Sequence, residues 1–225
     1  MKRFNVVAMA VMAVLAMGAL TATTAFAAVP EFSPATNKGT STNKNKTKFT
    51  EKSGIAAVEC TGSEGTSAIE SAKLGKFEET YTGCTALLSG KCTGLNVKDT
   101  TAGHITVEGE FHLRFLKNKE NEKTSAALIF LIPQTHFECE KTVVLILMHG
   151  CVAGAVTPLS TKTKLFTVEL KQTGGVEVIK EVENEAGTGN ETCVLKSEKN
   201  GEAEKEAGQE QKDEIVEEKE GEIIT

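Results

Sequence analysis

Short stretches in which apolar and polar residues alternate fill the middle of the chain, residues 49–195, and Gly interrupts them every several residues. The clearest is 164–171, where Phe166, Val168 and Leu170 alternate with polar residues. Because successive side chains of a β-strand point to opposite faces, this period of two predicts antiparallel strands with one buried and one wet face. We expect an all-β fold, an antiparallel sandwich or barrel-like sheet of roughly nine or ten strands, with little helix.

Two stretches are apolar at every position, residues 126–132 and 143–148. Their β-branched residues and the stops at Pro133 and Gly150 favour strands over a buried helix. Both are much shorter than the ~18 residues that a membrane-spanning helix requires. We therefore expect them to be the central strands of the sheet, covered on both faces.

A hairpin is predicted between residues 103–107 and 111–115. Both segments alternate apolar and polar side chains, and Gly109 with Glu110 lies between them. Gly is favoured at tight turns because it adopts backbone conformations that other residues avoid.

The N-terminal segment has the layout of a secretory signal peptide. Lys2 and Arg3 precede an apolar run at 6–20, and small residues then lead to Ala-Phe-Ala at 25–27. The run is short of the ~20 residues that cross a bilayer, and Ala-x-Ala suits signal peptidase. We predict a signal-peptide helix over 1–27 with cleavage after Ala27; the alternative is an uncleaved N-terminal anchor.

Composition divides the rest of the chain into three parts. Residues 28–48 are rich in Pro, Asn, Lys, Thr and Ser, which predicts a flexible leader, and 49–195 form the secreted β domain. Residues 196–225 hold 11 acidic and 5 basic side chains. A solvated acidic tail is one interpretation of this segment, and pairing of 215–216 and 223–224 as final edge strands is the other.

All six cysteines follow the predicted cleavage site, at Cys60, Cys84, Cys92, Cys139, Cys151 and Cys193. An even number of cysteines in an exported chain predicts three disulfides, and sequence alone leaves many pairings open. Cys84 and Cys92 flank a segment of hairpin-loop length, whose closure would bring the two Cα atoms within bridging range. We predict the pair Cys84–Cys92 from this spacing.

Several short segments around the cysteines resemble those of a known group. They are Tyr81-Thr82-Gly83-Cys84, Cys92-Thr93, Phe137-Glu138-Cys139 and the segment from Cys151 to Pro158. With them the chain resembles a group of uncharacterised secreted, Gly- and Thr-rich β proteins of actinobacteria. The resemblance implies a secreted β domain and carries no activity.

The chain departs from the pattern of that group at three positions. Cys151 takes the place of a small hydroxyl residue, and a cysteine at Cys193 is unusual there. Compared with the group, both cysteines look like additions, which implies the pair Cys151–Cys193 and leaves Cys60–Cys139. Glu79 falls where the group would have an apolar inward residue.

No catalytic motif is recognisable in the chain. A Gly-x-Ser-x-Gly elbow, a P-loop and a dinucleotide-binding loop are absent, and the two Asp residues are Asp99 and Asp213. The net charge of −6 gives nucleic acid little to bind. We therefore predict no catalytic residue, no cofactor and no nucleic-acid partner. The alternative is a secreted hydrolase or metal-dependent enzyme whose residues are scattered in sequence.

Weak candidates for a metal site are His136, Cys139, His149 and Cys151. His and Cys are good zinc ligands, and His149 and Cys151 would share one face of a strand. In an exported protein the same cysteines are more simply oxidised to disulfides, so we predict no metal.

A non-enzymatic role through the surface is therefore expected, as an extracellular or wall-associated binding or structural domain. The absence of Trp and the single Tyr leave little for sugar stacking. Lysines that could contact an anionic wall polymer, or simply belong to a flexible leader, are Lys38, Lys44, Lys46 and Lys48. A deep pocket that gathers carboxylates with histidines would instead favour an enzyme; the histidines are His104, His112, His136 and His149.

Overall fold

All regular structure in the computed structural model is β-strand. It describes residues 30–52, 57–86, 90–95, 100–116, 125–140, 144–184 and 189–225, and no helix occurs in these ranges. The expected all-β antiparallel fold is thus confirmed. The predicted signal peptide lies outside the described residues. The strands are β1 (Glu31–Ser33), β2 (Asn37–Asn43), β3 (Thr47–Glu51), β4 (Ala57–Cys60), β5 (Gly62–Ile69), β6 (Leu74–Thr82), β7 (Thr85–Ala86), β8 (Gly90–Gly94), β9 (Ile105–Phe115), β10 (Ala126–Cys139), β11 (Val144–Thr157), β12 (Thr163–Leu170), β13 (Glu181–Glu183), β14 (Asn190–Thr192), β15 (Leu195–Lys199) and β16 (Lys205–Ile224).

The main sheet closes on itself twice, through antiparallel pairs throughout. The first ring runs in order through β2, β5, β6, β9, β10, β11, β12 and β16, and β16 pairs with β2 again. The second ring runs through β3, β4, β7, β8, β10, β11, β15 and β16, and β16 pairs with β3 again. The sheet is therefore barrel-like, and the long strands β10, β11 and β16 belong to both rings.

Within the described ranges the main sheet has 14 strands, more than the nine or ten predicted. The count is higher because long strands are interrupted. For example, β4 and β5 follow one another on either side of Thr61. Such breaks separate the first ring from the second without changing the direction of the chain.

The hydrophobic core fills the inside of both rings. In the second ring Phe49 packs edge-to-face on Tyr81, with ring centroids 5.1 Å apart. In the first ring Phe111 and Phe166 belong to one buried cluster. Burying a side chain of this size is worth about 1.5–3 kcal/mol, so the inward residues of the strands supply most of the driving force for closure.

The strands β10 and β11 confirm the prediction of central strands, and both extend beyond the predicted stops. Pro133 lies at a register shift between Ile132 and Thr135, where the two strands stay adjacent on either side of the irregularity. Gly150 has a positive φ of 113° and β11 continues through it. A bulge can hold a Pro because the bulged residue need not donate to the ladder.

Residues 171–184 and 189–194, here called the insert, cover part of the outer face of these central strands. Val182 of the insert is fully buried in a cluster with Ala127 and Ile129 of β10. A bridge from Val182 to Leu116 and the disulfide Cys151–Cys193 hold the insert in place. The ring interior and the insert together cover both faces of these strands around Ala127 and Ala153, whereas Leu131 and Leu145 are 39% and 40% exposed.

Replacement of Cys151 and Cys193 together by Ala should loosen the insert and leave both rings closed. Loss of this cross-link, which joins residues 42 apart, is expected to lower the free energy of unfolding by about 2 kcal/mol. Limited proteolysis should then cut first within residues 171–184 or 189–192. First cleavage within β10 or β16 would show that the disulfide supports the rings themselves.

The predicted hairpin at Gly109 is wrong. β9 runs without a turn from Ile105 to Phe115. A Cβ at residue 109 would collide with the carbonyl oxygen of Leu131 and with the Phe77 ring. Gly is therefore required here by the close approach of its neighbours, and not by a turn.

The predicted flexible leader is also wrong over the described part of 28–48. Residues 31–33 and 37–43 form β1 and β2, and β3 begins at Thr47. Asn37, Ser41 and Asn43 face inward although they are polar. The composition suggested a solvated segment because polar side chains occupy positions that the ring buries.

The acidic C-terminal segment folds as β15 and β16, and β16 is not an edge strand. One side of β16 pairs with β15 and β12, and the other pairs with β3, β2 and β1. Its odd-numbered residues from Ala207 to Glu217 are buried, whereas most even-numbered ones are exposed. The carboxylates that suggested a tail are mostly on the outward face.

Two of the three predicted disulfides are wrong. The structure joins Cys60 to Cys84 and Cys92 to Cys139, in place of Cys84–Cys92 and Cys60–Cys139. Both bonds link residues that lie beside each other in the sheet. The Cys151–Cys193 pair is the one that the resemblance implied.

Candidate functional site

A column of polar side chains crosses the inside of the rings. Gln209, Gln211 and Asp213 point inward from alternate positions of β16. The Gln209 Nε2 amide donates to the Tyr81 hydroxyl at 3.0 Å and to Gln211 Oε1 at 2.5 Å. Gln211 Nε2 in turn donates to both Asp213 carboxylate oxygens at 2.6 Å. Hydrogen bonding of this kind offsets the cost of burying polar groups.

Glu79 on β6 lies beside this column. Its Oε2 accepts a hydrogen bond of 2.5 Å from the Ser41 hydroxyl on β2. Burial, opposed by that hydrogen bond, raises the pKa of Glu79. Burial and the negative charge of Glu79 raise the pKa of Asp213 to about 7. Glu79, which stands where the group that the chain resembles would have an apolar residue, is therefore inward-facing and polar.

The space beside the polar column is too small for a substrate. A cavity of about 30 Å³ is lined by Glu79, Tyr81 and Asp213 together with apolar side chains of β9, β10 and β11. That volume corresponds to a single water molecule. The buried carboxyls therefore belong to the internal structure and not to a catalytic pocket.

An open groove of about 910 Å³ lies across five strands of the first ring. Its walls are mostly exposed side chains on the outer face of β2, β5, β6, β9 and β16. The residues that line it are Lys38, Gly39, Thr40, Thr66, Ser67, Ala68, Lys76, Phe77, Glu78, Glu108, Gly109, Glu110, Val216, Glu217 and Glu218. With strands about 4.8 Å apart, the five strands give the groove a length of roughly 20 Å.

Small inward residues lie on the strands that form the groove. A Cβ at Gly39 would lie 3.0 Å from Ser67 Oγ and 3.1 Å from the Val216 carbonyl oxygen. Gly39 and Gly109 therefore let neighbouring strands come close where larger residues would hold them apart.

The groove has more carboxylates than ammonium groups. Glu78 lies directly opposite Glu108 on the neighbouring strand, and Lys76 lies opposite Glu110. Lys76 also pairs with Glu70 at 2.9 Å, which raises the pKa of its ammonium group. At one end Val216 is exposed and lies opposite the exposed Leu165. The groove thus combines an acidic wall, threonine hydroxyls and an apolar end.

The weak metal candidates do not converge. Cys139 faces the ring interior and is bonded to Cys92, whereas Cys151 is bonded to Cys193 on the other side of the sheet. His149 forms a 2.9 Å contact with Glu204 at the surface, and His136 lies half-buried on β10. Over the described ranges, no group of His, Cys, Asp and Glu side chains is arranged to hold a metal ion.

The remaining histidines and lysines occupy separate places. His112 Nδ1 lies 3.0 Å from the buried guanidinium of Arg114, under the insert. The lining of the groove and of the 30 Å³ cavity includes no histidine. Lys38 lines the groove, whereas Lys46 pairs with Glu59. Asp99 lies outside the described residues.

The sequence predicted neither the groove nor the polar column. It singled out only Lys38, which lines the groove, and Glu79, which lies beside the column. The groove and the column are each built from side chains on strands that are far apart in the chain. The available signal was a Gly inside each of four otherwise regular strands, at Gly39, Gly65, Gly75 and Gly109. Gly inside a strand often marks a close approach of neighbouring backbone.

The fold and groove define a disulfide-linked, antiparallel β protein with a closed sheet. Comparison with protein-family models, with curated proteins and with solved structures found no match to this chain. Within the part of the chain that the structure covers, no helix is long and apolar enough to cross a membrane.

Proposed function

We propose that this protein is exported and acts without catalysis, by binding an extracellular polymer in the groove. The observation that carries the proposal is the contrast between a filled interior, whose cavity beside the polar column holds about 30 Å³, and an open outer groove of about 910 Å³. An enzyme usually gathers its reactive groups in a concave pocket, and here the buried carboxyls lie where a substrate has no room.

Export is supported by the disulfides and by the N-terminal sequence. Three disulfides are consistent with an extracellular protein, because such bonds persist in oxidising compartments. The predicted cleavage after Ala27 would leave a mature chain that begins just before Pro30 and β1. A location at the cell wall is part of the same proposal, whereas the resemblance implies only a secreted protein of an actinobacterium.

The shape and chemistry of the groove suit an extended chain with hydroxyl or amino groups. Its length of roughly 20 Å would accommodate several repeat units of a polymer. Carboxylates of Glu78, Glu108 and Glu110 can accept hydrogen bonds from such groups, and the hydroxyls of Thr40 and Thr66 can donate and accept. The exposed apolar pair Leu165 and Val216 adds a surface for the nonpolar part of a repeat unit.

A bulky residue in the groove should abolish retention on the native polymer. Thr66 is exposed on β5 in the groove, so Thr66→Tyr would fill it without disturbing the interior. Thr42→Tyr is the matched control, because Thr42 is exposed on β2 and is not part of the groove lining. The measurement is fractionation of the source organism, followed by co-sedimentation of the purified mature protein with the insoluble wall fraction.

We expect the wild type and Thr42→Tyr to sediment with the wall, and Thr66→Tyr to remain in solution. Equal retention of both variants would place binding elsewhere on the molecule. Recovery of all three proteins free in the medium would exclude the proposed binding role. The alternative class, a hydrolase or metal-dependent enzyme, would require a pocket that gathers histidines with carboxylates, and neither the groove nor the 30 Å³ cavity is lined by a histidine.

A further inference from the structure

Four cysteines form one row across neighbouring strands of the second ring. Cys92 lies opposite Cys139 in the pairing of β8 with β10, and Cys84, the residue before β7, lies beside Cys60 of β4 with 3.9 Å between their Cα atoms. The two inner members of the row, Cys84 and Cys92, are also neighbours, because the Cys92 amide donates to the Cys84 carbonyl oxygen at 2.9 Å. All four side chains are buried on the inner face, with at most 1% of their surface exposed.

Only neighbouring cysteines of the row are close enough to form a disulfide. The possible pairs are Cys60–Cys84, Cys84–Cys92 and Cys92–Cys139. Residues directly opposite on adjacent strands have Cα atoms within about 4.5–5.5 Å, which is within reach of a disulfide. Cys60 with Cys92, or Cys84 with Cys139, would be two strands apart, or roughly 10 Å, beyond the ~7 Å limit for bridging. Cys60 and Cys139 are further apart still. The observed pairing is therefore the one arrangement of these four sulfurs that forms two bonds in the folded sheet.

Loop length favours a different pair, Cys84 and Cys92, as the first disulfide to form during folding. Cys84 and Cys92 are joined by the short connection between β7 and β8, whereas the native bonds close separations of 24 and 47 residues. Short loops close faster and at a smaller entropic cost than long ones. The hairpin bond Cys84–Cys92 is thus the first one available to the oxidised chain.

We propose that the row is a sulfur relay, in which a first Cys84–Cys92 disulfide is converted into the native pairs by thiol–disulfide exchange along the closing sheet. The Cys60 thiolate attacks Cys84 Sγ, the Cys60–Cys84 bond forms, and the Cys84–Cys92 bond breaks to release the Cys92 thiolate. This step changes the partner and involves no net oxidation.

Two steps of the relay require an oxidant: formation of the first Cys84–Cys92 bond, whose two thiols lose two electrons and two protons to a protein disulfide of the exporting compartment, and formation of the second native bond. Cys92 and Cys139 lose two electrons and two protons as their bond forms, and a protein disulfide of the exporting compartment is the class of oxidant that accepts them. Because both inner cysteines already face their final partners, neither step requires the strands to move apart. The relay thus couples correct pairing to the closure of β4, β7, β8 and β10.

The relay is tested by leaving only the inner pair of the row. In the variant Cys60→Ser with Cys139→Ser, Cys84 and Cys92 should form a disulfide, seen as a mass lower by two hydrogen atoms and as a cross-linked peptide. The matched control is Cys60→Ser with Cys92→Ser, which leaves Cys84 and Cys139 two strands apart and should retain two thiols. Free thiols in the first variant, or a Cys84–Cys139 bond in the second, would overturn the proposal.

A second measurement on the wild type covers the case in which either variant fails to fold. The reduced protein is refolded in a glutathione buffer, samples are quenched with acid, and unreduced peptides are mapped by mass. The Cys84–Cys92 peptide should appear first and disappear as Cys60–Cys84 accumulates. Accumulation of Cys60–Cys84 with no earlier Cys84–Cys92 species would show that the native bonds form directly.

Discussion

A chain that ends after Glu204 is expected to lose the entire fold. The missing segment is β16, which closes both rings and pairs with β1, β2, β3, β12 and β15. Its removal also takes the buried Ile215 and Ile223 out of the core. A typical domain is stable by only about 5–15 kcal/mol. The free-energy cost of several unpaired strands and an exposed core should exceed this margin.

Circular dichroism and proteolysis of the truncated chain would measure this loss. The matched control is the full chain with Glu210→Gln, Glu214→Gln and Glu220→Gln, which removes three exposed charges from the same segment and keeps all of its inward residues. This control should fold like the wild type. A truncated chain with an unchanged strand signal would show that the segment is a dispensable acidic tail.

The strands that sequence predicted well are those whose inward residues are apolar. In β12 the inward residues are Phe166, Val168 and Leu170, so the period of two is visible in hydropathy alone. The apolar stretches of β10 and β11 were equally clear. In these strands the hydrophobic effect acts on a pattern that is local in the chain.

The strands that sequence missed have polar inward residues. Asn37 and Asn43 in β2, and Gln209, Gln211 and Asp213 in β16, occupy positions that are buried only because distant strands complete the ring. Asn37 donates to the Lys219 carbonyl oxygen and Gln209 to the Tyr81 hydroxyl, across separations of 182 and 128 residues that no local window contains. The same reason hid the groove, since its five strands come from separate parts of the chain.

Three buried carboxyls, one of them in the polar column, should make the protein less stable as the pH rises. Burial raises the pKa of Asp213 to about 7, that of Glu177 to about 8 and that of Glu217 to about 7 in the folded protein. In the unfolded chain the same carboxyls ionise near pH 4. The folded state therefore binds more protons than the unfolded state between pH 4 and 8, and the free energy of unfolding must fall as the pH rises through this range.

Two exposed carboxyls, those of Glu204 and Glu206, make the free energy of unfolding rise with pH. Hydrogen bonds from Lys196 and His149 lower the pKa of Glu204, and one from Lys52 lowers that of Glu206. Their stabilising contribution is present above about pH 4.5 and is lost as the pH falls through their folded pKa. Since both are exposed and screened, we expect the buried carboxyls to dominate and the most stable pH to be mildly acidic.

Asp213→Asn isolates one of these buried contributions, because Asn has the size of Asp and cannot ionise. A tenfold difference in proton affinity between the folded and unfolded states is worth about 1.4 kcal/mol, so ionisation of Asp213 should cost the wild type roughly 4 kcal/mol by pH 8. The variant avoids this cost. It should unfold at a higher urea concentration than the wild type at pH 8 and at a similar one at pH 4.5.

Urea unfolding with the disulfides intact, repeated from pH 4.5 to 8.5, measures both effects. Glu214→Gln is the control, because Glu214 is adjacent on β16 and exposed, so its curve should follow that of the wild type at every pH. Wild-type stability that rises towards pH 8, or an Asp213→Asn variant that is weaker than the wild type at pH 8, would mean that the carboxyl is ionised inside the rings and stabilised there. In that case the hydrogen bonds from Gln211 would outweigh the burial that separates Asp213 from water.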